Sequence, residues 1–292
     1  MTISHTYPVP DNVKAPSNRQ PVMFVGHGSP MNAIMETPFK TEWQRIGAYF
    51  GEHKRWAKPK LILCISAHWC THGTSVTAMS RPKTIHDFGG FPQELFDQQY
   101  PVDGDPLAAK ALATRFKQAS KPLPLTLDEQ SWGLDHGTWS VLKPMFPLGD
   151  VPVVQLSLDV LATFEQHVAL GAQLNALRDE GVLLLASGNT VHNLSAMQRS
   201  APDTQAYDWA GEFDDWVAQS MVQRDREALC MKGVSEQTFK LFKLAHPNPD
   251  HYLPVLYALA ASQGEDQLSF FNDQYQYASI SMRSCLWDAP AR

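Results

Sequence analysis

Short, continuously apolar runs alternate along the chain with stretches whose apolar residues recur at helical spacing. Runs at Val22–Val25, Leu61–Ser66, Ser75–Met79, Val151–Leu156 and Val182–Ala186 read as strands. Several lack polar alternation, as expected of strands covered on both faces. Tyr275–Met282 does alternate, and reads as a half-buried strand that could add antiparallel to the sheet. Pro106–Ala119 predicts a helix, with Asp105 as N-cap beside a proline. Thr163–Glu180 predicts another and stops before Gly181, a suitable C-cap. Tyr207–Leu229 and His251–Ser262 complete the helical stretches.

Strands alternating with helices predict an α/β fold, a largely parallel central sheet flanked by helices. No repeat or flexible linker divides the chain. Arg199–Gln205 and the stretch around Gly233 read as loops, so one domain is expected over residues 21–292, after an irregular lead-in over 1–20. Three loops are rich in glycine, proline and aromatics: Pro82–Pro101, Gln130–Trp139 and Ala245–Pro254. Their aromatic content argues for order, and for walls of a pocket above the strand ends.

Composition narrows the partners. Hydrophobic residues make up 43% of the chain, enough for a large core, and the net charge of −6 comes without any basic block. Nucleic acid and anionic membranes are therefore not expected as partners; a small or neutral ligand is. No apolar run is long enough to span a bilayer. The polar start, MTISHTYPVPDNVKAPSNRQ, has no signal-peptide core, and the four cysteines show no framework spacing. A cytoplasmic setting with reduced thiols is expected, with Cys64 a buried small hydrophobe.

Histidines carry the candidate chemistry. Three apolar runs lead directly into one: VMFVGHGSP into His27, LILCISAHW into His68, and VLLLASGNTVHNL into His192. Ligand sites of open α/β sheets gather at the carboxyl ends of strands, and imidazole is the commonest transition-metal ligand. One shared metal site is the economical reading. His136 in LDHGTW suggests catalytic or supporting duty, and His86 in IHDFGGFP could line the pocket. In the loop AHPNPDHYLP, spacing alone does not choose between His246 and His251. His72 reads as an exposed turn residue; His5, His53 and His167 read as surface residues. Without a thiolate framework, three neutral imidazoles suit Zn(II) and Fe(II) alike.

The ordered motifs GHGSPMN, SAHW, HDFGGFP, DHGTW, SGNTVHNL and DHYLP resemble those of the 4,5-DOPA extradiol dioxygenase family, within the class III extradiol ring-cleavage dioxygenases. The resemblance runs from Pro21 to the end of the chain. It implies an oxidoreductase that inserts both atoms of O2 into a catechol such as L-DOPA, with Fe(II) for turnover and Zn(II) able to occupy the same site. It places the ligands on His27, His68 and His251, where the wider superfamily has two histidines and a glutamate. It gives His192 two roles, proton donor and acceptor and, in zinc-loaded relatives, approach to the metal. His136 would hydrogen-bond substrate or oxygen. His86, Trp69, Phe91 and Tyr252, with Phe88, are expected to contact the aromatic ring. The competing readings are a zinc-dependent hydrolase and a non-catalytic metal-binding protein; oligomeric state is unread.

Overall fold

In a computed structural model that describes residues 17–290, the apolar runs become the middle of a large sheet. Its strands, in chain order, are β1 (Val22–Gly26), β2 (Leu61–Thr71), β3 (Thr74–Thr77), β4 (Leu125–Asp128), β5 (Val153–Asp159), β6 (Val182–Gly188), β7 (Gln267–Phe271), β8 (Tyr275–Gln276), β9 (Ile280–Ser281) and β10 (Ser284–Asp288). The main sheet has the order β4-β3-β5-β2-β6-β1-β10-β7. Its four central strands, β5, β2, β6 and β1, run parallel. The β10 and β7 pairings on one side, and β3 against β5 on the other, are antiparallel. The lead-in expected over residues 1–20 lies outside the described residues as far as residue 16.

The central strands show why their sequences are apolar throughout. Val22 and Phe24 of β1 pack on one face of the sheet while Met23 and Val25 pack on the other. Ile62 and Cys64 of β2 part from Leu63 and Ile65 in the same way. A strand's period of two therefore feeds two cores at once. Each fully buried aliphatic side chain contributes about 1.5–3 kcal/mol, so a polar residue at either parity would be costly. On one face lie the helices Pro106–Gln118, Phe164–Leu174, Asp208–Gln223, Glu236–Ala245 and Leu253–Ala261; on the other lie Pro38–Gly47 and His136–Met145. Every residue of Leu253–Ala261 is buried, as befits a helix that is apolar all round.

The capping expectations hold. Asp105 accepts from the Ala108 N–H, and Thr163 and Gln166 form a reciprocal capping box. Gly181 closes the preceding turn with a φ of 89°. Several boundaries differ from expectation. The Thr163–Glu180 helix is α only to Leu174 and then tightens into 3-10 turns. Tyr207–Leu229 breaks where Arg224 takes a left-handed φ of 55°. Tyr275–Met282 is not one strand: left-handed Tyr277 and Ala278 fold it into the β8–β9 hairpin, outside the main sheet. β4, β7, β10, the short helix Gln93–Phe96 and three longer helices (Pro38–Gly47, His136–Met145 and Glu236–Ala245) went unpredicted, most of them carrying solvent-facing residues that blur the period. No described helix is long and apolar enough to cross a membrane.

Candidate metal centre

At the carboxyl edge of the parallel strands the backbone delivers histidines from four directions. His27 follows Gly26 directly, and its N–H donates to the Gly188 carbonyl at the end of β6. His68 lies within β2, where the register against β5 shifts between Ile65 and Cys70. Such an irregularity re-aims side chains next to a site. His251 comes from the turn before Leu253–Ala261, and its carbonyl accepts from the Asn189 N–H. A Cβ on Gly188 would stand 2.3 Å from that carbonyl oxygen, so only glycine lets the turn settle on the strand end. His136 opens its helix behind Asp135, whose side chain accepts from the Thr138 N–H. The segment expected as a loop to Trp139 is thus helical from His136 onward.

Hydrogen-bond logic fixes the tautomers of the inner rings. Ser187 Oγ donates to the Gly137 carbonyl at 2.6 Å, so His27 Nδ1, 3.0 Å away, must be the donor toward Ser187. Carboxylates only accept, so His68 Nδ1 donates to Asp87 Oδ2 at 3.1 Å and His251 Nδ1 to Asp250 Oδ1 at 2.9 Å. In their neutral forms all three rings are left with a lone pair on Nε2. Nε2 of His27 and of His68 lie 3.0 Å apart, and Nε2 of His251 is buried without a hydrogen-bond partner among the described residues. One ligand atom from each of the three lies within 4.8 Å of the others. Facing lone pairs repel unless a cation sits among them. Metal-binding histidines are characteristically held through their second nitrogen in this manner. A metal ion fits this donor set.

Electrostatics agree for two of the three rings. Burial first, and then the neighbouring imidazoles, hold His27 and His251 well below the usual histidine range, in the neutral ligand form. Burial opposes charge on His68 too, but Asp87, Asp135 and Asp250 leave its pKa raised. Below the site, buried Asp135 accepts from Ser66 Oγ at 2.7 Å and from the Gln155 amide, locking the helix of His136 against β2 and β5.

His192 stands beside this trio rather than within it. Its ring stacks on His251, with centroids 3.5 Å apart and planes 2° from parallel. Its N–H donates to the Ala245 carbonyl, and burial ahead of other causes pushes its pKa down to about 3. His136 lies 3.9 Å, ring to ring, from His68. Phe88 meets His136 edge-on at 5.5 Å, and Phe91 packs on Phe88. These two form an aromatic wall next to the histidines. His86 is one layer out, donating from Nε2 to the Gln98 carbonyl among Phe88, Phe96 and Trp139. Trp69 is buried and stacked on Trp132.

Two expectations need correction. Tyr252 does not line the pocket: it is fully buried among Phe164, Phe213, Phe242 and His246, with its hydroxyl donating to the Leu229 carbonyl. His251 and Tyr252 are adjacent, and one turn of backbone sends them to opposite sides. His167 is not on the surface either; it is 2% exposed and hydrogen-bonded to the Tyr257 hydroxyl on the inner face of its helix. His5 lies outside the described residues. His246 is buried, but its Nε2 donates to the Thr190 carbonyl and its ring packs in the aromatic core. Three residues that brace the histidines, Asp87, Ser187 and Asp250, escaped the sequence reading. Asp87 and Asp250 each neighbour a histidine in sequence, a signal that could have found them.

A mostly parallel sheet with a histidine cage at its carboxyl edge defines a metal-dependent α/β enzyme. The family model described as the catalytic LigB subunit of aromatic ring-opening dioxygenase matches residues 21–285, and the chain belongs to this family of oxidoreductases. It is 41% identical over 284 residues to the 4,5-DOPA dioxygenase extradiol of Escherichia coli (strain K12), covering 95% of this chain and 98% of that one. To the protein of the same name from Beta vulgaris it is 32% identical over 280 residues, covering 94% and 96%. The crystal structure of an uncharacterized Escherichia coli K12 protein matches with a TM-score of 0.75 at 35% identity, over 92% of this chain and 99% of that one.

Proposed function

We propose that this dioxygenase cleaves a catechol such as L-DOPA at an extradiol position, inserting both atoms of O2, with Fe(II) held by His27, His68 and His251. The observation that carries the reading is the convergence of three Nε2 lone pairs, each backed by a second-nitrogen hydrogen bond. Iron, when bound, supplies the Lewis acidity that binds a diol and the redox chemistry by which ring electrons reach oxygen, which protein side chains lack. Zn(II) occupies the same donors, since affinity for such sites does not itself select iron.

The chain's own residues handle protons and orientation. His192 is neutral at neutral pH and takes a proton as the diol ionises, returning it as the ring opens. His136 offers its Nε2 to the substrate. Phe88 and Phe91 hold the aromatic ring edge-on and keep water from that side. His86 shapes this wall from behind, and Trp69, stacked on Trp132, braces β2 beside His68. The reading includes a small aromatic diol and O2 as partners and a cytoplasmic setting, in keeping with four free cysteines.

Anaerobic reconstitution with Fe(II), followed by air and L-DOPA, tests the proposal. Oxygen uptake with a yellow ring-opened product is expected. No uptake with any member of a broad catechol panel would sink it. Ester or amide hydrolysis by the zinc form alone would favour the hydrolase reading instead.

A further inference from the structure

Asp87 touches two histidines of this site at once. One oxygen, Oδ2, accepts from His68 Nδ1 at 3.1 Å. The other, Oδ1, lies 3.0 Å from His136 Nδ1 and accepts from the His136 backbone N–H at 2.9 Å. The His136 ring contact is skewed away from ideal hydrogen-bond alignment, and Nδ1 has no other partner among the described residues. A bare ring lone pair at that distance from a carboxylate would be repelled, so the proton of His136 resides on Nδ1. Asp87 is itself seated by its neighbours: the Ile85 N–H donates to the Leu134 carbonyl, and Trp139 Nε1 donates to the Ile85 carbonyl.

We infer that Asp87 is a positioning residue that sets His68 and His136 as a unit, turning the Nε2 lone pairs of both rings to the pocket. This rests on the proposed metal site at His68. It has a consequence for the reaction: neutral His136 meets the substrate as a hydrogen-bond acceptor at Nε2. It would engage a diol hydroxyl proton and could donate only after gaining one. The loop bearing HDFGGF is thereby tied to the metal-binding strand through one carboxylate.

Asp87→Asn isolates the bridge. An amide accepts on one side only, and its NH2 would face one of the two ring N–H groups, forcing that ring to turn or change tautomer. Two measurements at neutral pH decide it. Nitrogen-15 spectra of histidine-labelled, metal-free wild type are expected to show His136 protonated at Nδ1; protonation at Nε2 overturns the inference without any variant. Zn(II) titration against a competing chelator is expected to show binding by D87N weakened about 10–100-fold, the usual loss when a ligand's supporting partner is changed. D87N with wild-type affinity and unchanged histidine tautomers also overturns it. Failure of wild type itself to bind Zn(II) would instead bring down the metal-site reading, and the tautomer of His136 would still read the bridge.

Discussion

His246 and His251 lie on one short segment between two helices, both buried, yet their second nitrogens meet opposite fates. His246 donates from Nε2 to the Thr190 carbonyl and packs its ring against Phe213, Phe242 and Tyr252. His251 donates from Nδ1 to Asp250 and leaves Nε2 to converge with those of His27 and His68. The same contrast separates the aromatic core from the carboxyl edge of the sheet. In the core, a buried imidazole is a shaped filler tied off by one bond. At the carboxyl edge of the sheet, each ring is tied off on its outer nitrogen, so its inner one is open to a metal. Burial alone therefore does not make a site; the direction of the spare lone pair does.

The largest expected effect separates these two classes. His27→Ala, His68→Ala and His251→Ala should each reduce bound Fe(II) or Zn(II) to background after desalting, whereas His246→Ala should retain full metal. Metal analysis of the purified variants checks this, and metal loss in His246→Ala alone would reverse the assignment. Next, His192→Ala should keep its metal while turnover falls by about 10²–10⁴-fold, the range for losing a general acid–base group. Loss of metal in that variant would make His192 a ligand.

A smaller effect is expected for His246→Ala on folding. Emptying its place among the core aromatics should cost about 2–4 kcal/mol, as for other large-to-small core changes, measured by denaturant unfolding with metal removed. The finest contrast is pH dependence. Burial pushes the pKa of His167 down to about 4, so its neutral form is the one that folds. The unfolded chain binds the proton more readily, so this contribution is complete above the ordinary histidine pKa of about 6.5. It is lost as pH falls toward 4, by up to about 3 kcal/mol. The stability difference between wild type and His167→Gln should shrink over that window; a constant difference would show that the residue does not titrate with folding.

How much of this could be read from sequence depends on whether a local signal existed. The central strands were legible because two-sided burial forces continuous apolar runs, and the helices at Pro106 and Phe164 because their caps are local. β4, with a half-buried pattern, gave no clean period, and Tyr275–Met282 alternated like a single strand because nothing in that alternation announces the left-handed Tyr277 and Ala278 that fold it back. His27 and His68 stood out because each closely follows a continuous apolar run, a local signal, although β2 continues past His68 to Thr71. Tyr252 misled because adjacency to His251 says nothing about which way a turn sends each side chain.

The sequence by itself determined the layered α/β plan, the histidines that follow its apolar runs and, through ordered motifs, the family. Tertiary structure decided which imidazole nitrogens face one another. That choice depends on partners far away in the chain: Ser187 for His27 and Asp87 for His68 and His136. Lone-pair direction is set by what holds the opposite nitrogen, and only folding brings those holders into reach.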